Sequence, residues 1–177
     1  MRESALSVAN FFIQKSLDEE KPIQPLKLMK LVYIAHGYML AFLDRSPIEF
    51  PYDCVEAWQY GPVIPSVYYS FKQYGNRPIT ELTSVFVHED AKNDQFIVKT
   101  KTPELTTKDY KDVCGAVWKA YSKYSASGLV AVLHAPGTPW EQIYVKDMNR
   151  IIPDSITMAH YKMIIRRLKE DKRQDNG

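Results

Sequence analysis

Histidine, cysteine and carboxylate side chains are the groups in this chain that could bind a metal or carry out catalysis. The four histidines fall on four separate predicted elements: His36, His88, His134 and His160. Only in His88-Glu89-Asp90 does a histidine stand beside carboxylates. Successive residues of a strand point to opposite faces, so these three cannot converge on one metal ion without a sharp bend.

The two cysteines, Cys54 and Cys114, are far apart in the chain and form no Cys-x-x-Cys pair. Two reduced, packed thiols are the simplest interpretation and fit a cytosolic protein. A single long-range disulfide between them stays open.

The short motifs that hold cofactors or activate nucleophiles are missing from the sequence. It has no GxGxxG or GxxxxGK[ST] loop, no HExxH, no GxSxG and no Cys/His set with zinc spacing. The absence of these motifs does not exclude an enzyme, but it gives an interpretation as an enzyme or a metal site no motif on which to rest. The alternative, a hydrolase or metal enzyme, would require His36, His88 or His134 to meet a carboxylate such as Glu56 or Glu141.

Composition places the chain among ordinary globular proteins. Its 177 residues are 45% hydrophobic and 25% charged, and we expect one domain over residues 1–170. A net charge of +2 is too small to indicate nucleic-acid binding by itself. The start of the chain lacks the apolar core of a signal peptide, so we expect a cytoplasmic protein without a membrane anchor.

Helical periodicity dominates the pattern and predicts a mainly α fold, a compact helical domain with one small antiparallel β-hairpin. Ser4 can cap a first helix that ends near Leu17. The second helix, from about Leu26 to Leu43, is apolar nearly all round and should be a long buried helix at the centre of the core. It is barely long enough to span a membrane, and Lys27, Lys30 and His36 within it favour a soluble core. We expect His36 to be a hydrogen-bonded core residue rather than a ligand.

The rest of the chain adds the small β element and several further helices. Alternating apolar residues predict the hairpin at about 83–100, with a polar linker from His88 to Asp94, and a lone hairpin must lean on the helices. Capping residues predict later helices that begin at Thr106, Ser125, Thr138-Pro139-Trp140-Glu141 and Asp154. Residues 171–177 should be a frayed tail.

The segment from Ala57 to Tyr68 concentrates two prolines, a glycine, a tryptophan and two tyrosines. Gly61-Pro62 predicts a turn, because Pro62 fixes its own φ and keeps the residue before it out of the helical region. Pro65 then predicts a helix start and Gly75-Asn76 the end of that helix. The chemistry indicates recognition or architecture rather than catalysis. Structural roles are expected for Trp58, Gly61, Pro62, Gly75 and Trp140.

Three blocks of the sequence together resemble one known family. Residues 28–38, LMKLVYIAHGY, resemble the KLLYYAQGW helix of the Panacea (SocA-like) domain family. Residues 56–68, EAWQYGPVIPSVY, resemble that family's EAWxYGPVxPxVY signature, and Tyr74-Gly75 matches the YG that follows it. Leu133-His134-Ala135 to Pro139-Trp140 is similar to the late LTHxxxPW element. The hairpin and the last helix lie outside these blocks.

The resemblance implies an antitoxin of bacterial, phage or prophage origin, with no cofactor and no enzymatic activity. Its partner would be a cognate toxin encoded next to it. The protein would neutralise that toxin by direct binding, either blocking it or presenting it to a cellular protease. Panacea-domain proteins are paired with toxins of many unrelated folds, so the resemblance does not identify the toxin.

A nucleic-acid-binding regulator that uses the basic last helix is the alternative. The acidic residues Glu170, Asp171 and Asp175 offset the positive charge of that helix and weaken this alternative.

The candidate partner contacts form two sets. The first surrounds the aromatic segment and comprises Tyr60, Val63, Ile64, Tyr68, Tyr69 and Lys72, because aromatic side chains bury large area at low entropy cost. The second is a basic stripe on the last helix, which a solvated helix face also explains: Lys162, Arg166, Lys169 and Arg173.

Overall fold

A computed structural model describes residues 2–90 and 96–174, and the fold is mainly α. The helices are α1 (Ala5–Asp18), α2 (Pro25–Leu43), α3 (Pro65–Phe71), α4 (Lys108–Tyr121), α5 (Ala126–Leu133), α6 (Pro139–Ile143) and α7 (Asp154–Gln174). The strands are β1 (Glu56–Trp58), β2 (Gly61–Val63), β3 (Val85–Asp90), β4 (Phe96–Lys101) and β5 (Arg150–Ile151). A 3₁₀ turn, Lys72–Tyr74, continues α3.

Helices α5 and α6 begin at their predicted capping residues. The Ser125 hydroxyl accepts a hydrogen bond from the N–H of Gly128 at 3.0 Å. The Thr138 hydroxyl accepts one from the N–H of Glu141 at 3.4 Å, and Pro139 occupies the first helical position. Local sequence alone therefore accounts for these two starts.

The ends of α4 and α7 differ slightly from the prediction. Thr107 rather than Thr106 is the residue before α4, and the Glu3 carboxylate accepts hydrogen bonds from the N–H groups of both threonines. A side chain that is distant in sequence thus helps to set this boundary. Helix α7 continues to Gln174, so residues 171–174, predicted as part of the tail, are helical. Residues 175–177 lie outside the described part.

Helix α2 packs against α1, α3, α4, α5, α7 and strand β2. By length and hydropathy, it is the one helix of the described residues that could cross a membrane, but 72% of its apolar window is buried inside the structure. A helix in the core of a protein meets the same criteria of length and hydropathy. His36 on α2 is fully buried and hydrogen-bonded, as predicted: Nδ1 lies 2.9 Å from Ser46 Oγ and Nε2 3.1 Å from Asp154 Oδ1.

A glycine allows α2 and α7 to pack closely. A Cβ atom added at Gly37 would lie 2.2 Å from Cε2 of Tyr161, closer than real carbon atoms approach. The Tyr161 ring is buried there against the rings of Tyr33 and Tyr38, with centroid distances of 6.2 and 4.8 Å. Gly37 is therefore needed for its lack of a side chain, not for backbone freedom.

Strands β2, β1 and β5 form a three-stranded antiparallel sheet in that order. Trp58 pairs with Gly61, so the turn of the β1–β2 hairpin is Gln59-Tyr60. The prediction of a turn at Gly61-Pro62 was wrong by two residues, because these residues begin β2. Pro62 is tolerated there because β2 is an edge strand, where a missing N–H breaks no ladder. The pairing of β1 with Arg150–Ile151 had no local sequence signal.

Strands β3 and β4 form the predicted antiparallel hairpin, with Val85 opposite Lys101. Asn10 of α1 holds the base of this hairpin through its side-chain amide. Its nitrogen donates to the carbonyls of Thr83 and Pro103, and its oxygen accepts from the N–H of Thr83, all at 2.9 Å. A buried amide with three bonds thus ties the hairpin to the helices.

The linker predicted from His88 to Asp94 is shorter in the structure. His88, Glu89 and Asp90 belong to β3 and pair with Val98, Ile97 and Phe96, because a longer ladder satisfies more backbone groups. The remaining residues of the predicted linker, 91–95, lie outside the described residues. Among the residues that the structure describes, no group of histidine, cysteine, aspartate and glutamate could hold a metal ion.

Replacing Gly37 by alanine should destabilise the protein by about 1–3 kcal/mol, because the added methyl group overpacks the contact with Tyr161. The matched control is Gly115→Ala in α4, where an added Cβ meets nothing within 4 Å. This control should be neutral or stabilising by up to about 1 kcal/mol. Urea denaturation followed by circular dichroism measures both. Equal stability of the two variants would contradict the close α2–α7 contact.

Candidate functional site

Parts of the first two resembling blocks line one cleft between the first turns of α2, the β1–β2 turn, α3 and the segment after α6. Trp140 of the third block is hydrogen-bonded to Trp58 beside it. We call this space the aromatic cleft. Its volume is ≈ 350 Å³. The lining is mostly aromatic and apolar, with two charged residues, and includes Leu26, Met29, Lys30, Trp58, Tyr60, Val63, Tyr68, Tyr144 and Asp147. A space of this size and lining accepts one side chain or a small ligand.

Two tryptophans connect the cleft to the small sheet. The indole N–H of Trp140 donates to the backbone carbonyl of Trp58 at 2.7 Å, and the indole N–H of Trp58 donates to Glu56 Oε2 at 2.7 Å. Trp140 is buried, whereas Trp58 is half-buried and stands edge-on to Tyr68 with 4.8 Å between ring centroids. These contacts fit structural roles for both tryptophans, which stay predictions, and Trp58 also lines the cleft.

His134 stacks on Trp140 beside the cleft. Its imidazole lies parallel to the Trp140 ring, 3.6 Å between centroids and 6° between planes, and Trp140 in turn stacks on Tyr144 at 4.5 Å. Nε2 of His134 is buried and has no well-aligned hydrogen bond among the described residues. Burial and the neighbouring Lys30 lower the pKa of His134, and the Tyr60 backbone offsets part of this shift.

Lys30 is the least expected residue of the cleft, because its side chain is fully buried. Its amine donates one hydrogen bond, to the carbonyl of Pro62 at 3.0 Å. Burial lowers the pKa of Lys30 to about 7 from its ordinary 10.5, since desolvation disfavours the charged form. Near neutral pH this amine therefore exchanges between charged and neutral forms.

Gly61 lies between the two basic groups. A Cβ added at Gly61 would lie 3.0 Å from Nζ of Lys30 and 3.1 Å from Nε2 of His134. Its φ of +100° is also a backbone conformation that other residues rarely adopt. A glycine is therefore required at position 61 for two reasons. It adopts the positive φ, and its lack of a side chain leaves room for the two nitrogens.

The predicted contact residues around the aromatic segment differ in how exposed their side chains are. Tyr60 and Tyr69 are 63% and 59% exposed, and Lys72 is exposed with Nζ 4.9 Å from the centroid of the Tyr69 ring. Tyr68 is half-buried, and Val63 is buried but lines the cleft.

Ile64 must be removed from the set of candidate contacts. Its side chain is fully buried in the core, because it directly precedes the start of α3 and points inward. The structural residue Gly75 follows the 3₁₀ turn with a φ of +57°, as expected for a residue that ends a helical segment.

The basic stripe lies on α7, and none of its residues lines the aromatic cleft. Lys162 forms an ion pair with Asp44 at 2.8 Å, while Arg166 and Lys169 are exposed. The structure thus does not join the two predicted sets of contacts into one site. The pair of Lys162 with Asp44 gives at least this member of the stripe a structural partner.

The enzyme alternative is tested by one hydrogen-bonded series of side chains, in which His36 lies between Ser46 and Asp154. Ser46 Oγ already accepts a hydrogen bond from the N–H of Ile48 at 3.2 Å. His36 and Ser46 are both buried, so a substrate has no access to the hydroxyl group. The arrangement is typical of a structural network rather than a catalytic triad.

Sequence reasoning missed that Lys30 and His134 are neighbours beside Gly61. The signal for Lys30 was its position in a helix that is apolar nearly all round, which leaves a lysine no exposed face. No local signal could place His134 beside it, because the contact depends on how α5 packs against β2. Both cysteines are free, which settles the question of pairing that the sequence left open.

The buried Lys30 should make stability rise with pH. Between its folded pKa of about 7 and its unfolded value near 10.5, the unfolded chain binds a proton that the folded chain does not, so the free energy of unfolding increases with pH. The slope should approach about 1.4 kcal/mol per pH unit at most. The window of the test is pH 7 to 9, because burial raises the pKa of Cys114 above its ordinary 9.0. At higher pH the unfolded chain loses this thiol proton while the folded chain keeps it, which opposes the trend.

Urea denaturation at several pH values from 7 to 9 measures this slope, and Lys30→Met should flatten it. The matched control, Lys119→Met, removes an exposed lysine from α4 and should leave the slope unchanged. A wild-type free energy of unfolding that is constant over this window would show that Lys30 remains charged in the fold.

Comparison with known proteins gives matches that cover most of the chain. The family model described as antitoxin SocA-like, Panacea domain, matches residues 28–141. The chain is 33% identical over 139 residues to Antitoxin SocA of Caulobacter vibrioides (strain NA1000 / CB15N), an alignment that covers 78% of this chain and 69% of that protein. No solved structure matches. The chain therefore belongs to the SocA-like family of Panacea-domain antitoxins.

Proposed function

We propose that this protein is the antitoxin of a toxin–antitoxin pair and neutralises a cognate toxin by direct binding in the cytoplasm. Family membership supports an antitoxin role and suggests a regulator without catalytic activity. The binding mode, blocking the toxin or presenting it to a protease, belongs to the proposal. So does the expectation that the toxin is encoded beside this chain.

The surface around the aromatic cleft is the proposed toxin-binding face. The observation that carries this choice is the exposure of Tyr60 and Tyr69 beside a rigid support: Tyr69 packs edge-on against Tyr68, 5.2 Å between centroids, and Tyr68 packs against Trp58. Exposed aromatic side chains on a fixed base lose little entropy on binding and serve as interface hot spots. A complete interface would extend beyond the cleft and bury about 1,600 Å² in total.

A growth-rescue assay tests the antitoxin role. The neighbouring gene is expressed alone and then together with this protein. We expect growth to stop in the first case and to resume in the second. A harmless neighbour, or toxicity that persists with both proteins soluble, would contradict the proposal.

Alanine substitution tests the binding face. Tyr60→Ala and Tyr69→Ala should each weaken binding of the purified toxin by about tenfold or more, because each removes an exposed anchor. Neither should change the free energy of unfolding by more than about 0.5 kcal/mol. Isothermal titration calorimetry gives the affinity, and urea denaturation gives the stability.

Two further variants make this result specific. Phe86→Ala removes a side chain that is 75% exposed, on the β3–β4 hairpin, and should leave binding unchanged. The double variant Arg166→Ala/Lys169→Ala tests the basic stripe of α7. Loss of binding in the double variant together with normal binding of both tyrosine variants would move the interface to α7.

A further inference from the structure

We propose that the aromatic cleft binds a carboxylate side chain, an Asp or Glu of the toxin, through Lys30. This inference rests on the proposed function for the identity of the partner. The carboxylate-binding chemistry itself belongs to this chain and can be tested without the toxin.

The first argument is the incomplete bonding of Lys30. An ammonium group has three N–H donors, and in the described structure Lys30 uses one of them, on the Pro62 carbonyl. No carboxylate pairs with this lysine among the residues that the structure describes, although its side chain is fully buried. Buried cations are normally paired, so an unpaired one beside an open cleft indicates that its partner comes from another molecule.

The second argument is the neighbouring imidazole of His134. His134 does not line the cleft, and its ring interacts with the Tyr60 backbone, but its Nε2 approaches the same point at Gly61 as Nζ of Lys30. The stack on Trp140 fixes the plane of the ring. The positive charge of Lys30 disfavours a proton on this ring, so a carboxylate that pairs with Lys30 in the cleft would relieve a repulsion inside the fold.

The third argument concerns the kind of anion. The cleft offers one amine, which matches a single negative charge. Phosphate sites commonly combine several cations with the N-terminal N–H groups of a helix, so the donors here are too few for a phosphate dianion. The aromatic and apolar lining suits the methylene groups that precede a carboxylate in Asp and Glu.

Two features of the cleft oppose the binding of a carboxylate: the complete burial of Lys30 and the presence of Asp147. Lys30 lines the cleft but exposes no area, so in the complex the amine turns from Pro62 toward the ligand on its flexible stem. Asp147 also lines the cleft, but it is exposed, and water and salt screen it. The other titratable groups around Lys30 are Glu56, which holds the Trp58 indole, and the tyrosines of the lining: Tyr60, Tyr68 and Tyr144.

A matched pair of small probes tests the proposal on the protein alone. N-acetylglutamate methylamide carries a side-chain carboxylate, and N-acetylglutamine methylamide replaces it by a neutral amide of the same shape. Titration of the isotope-labelled protein is followed by the NMR signals of the Trp58 and Trp140 indoles. We expect the acid to bind about tenfold more tightly than the amide at pH 6.5. Equal binding of the two probes, or no signal change with either in large excess, would overturn the proposal.

Lys30→Met should reduce the ratio of the two affinities to near one, while Lys119→Met should leave it unchanged. A second measurement does not depend on the folding of a variant. In the wild type the preference for the acid should decline as pH rises from 7 to 9, because Lys30 loses its proton. A preference that is independent of pH would overturn the role of Lys30.

These results are distinguishable from failure of the antitoxin proposal. If the acid probe binds but growth rescue fails, the cleft is a carboxylate site and the toxin is not its ligand. If growth rescue succeeds but the probes bind equally, the antitoxin role stands and the carboxylate anchor does not. In the second case the contact with the toxin would depend on the exposed tyrosines.

Discussion

A lysine amine buried against a single backbone carbonyl is the constraint on which the candidate site depends. Lys30 lies on α2, a helix with packed neighbours on nearly every side, so its side chain must end inside the protein. The β1–β2 hairpin accepts it only because Gly61 has no side chain and Pro62 turns its carbonyl toward the amine. The glycine and proline of the signature are thus explained by the amine that they surround, rather than by the turn that they were predicted to form.

Sequence reasoning recovered what depends on local interactions. Capping by Ser125 and Thr138, the apolar periodicity of α2 and the β-prone runs of the hairpin are all readable within a few residues. What could not be predicted involves pairs that are distant in the chain: β1 with β5, Glu3 with the start of α4, and Lys30 with His134. Ile64 shows the same limit within the site, since its position beside Val63 says nothing about which of the two lines the cleft.

The two buried basic side chains of α2, His36 and Lys30, differ in how fully they are hydrogen-bonded. His36 has a partner on each ring nitrogen, Ser46 on one and Asp154 on the other, and it fastens the start of α7 to α2. Lys30 has one partner for three donors and lies under an open cleft. A fully satisfied network rigidifies a fold, whereas an incompletely satisfied one costs stability unless a ligand completes it. On a single helix, one buried basic group is therefore fully paired and the other is not.

The cleft and the exposed tyrosines around it would contribute differently to toxin binding. A space of ≈ 350 Å³ admits one side chain, and a single carboxylate contact cannot by itself provide a stable complex. The burial of Tyr60 and Tyr69 would supply most of the affinity, because hot-spot energy comes from large desolvated side chains. The buried cation would instead select the partner, because a neutral or basic side chain in the cleft leaves Lys30 without an ionic partner. A toxin without a suitably placed acid could then still touch the aromatic surface, but it would bind more weakly.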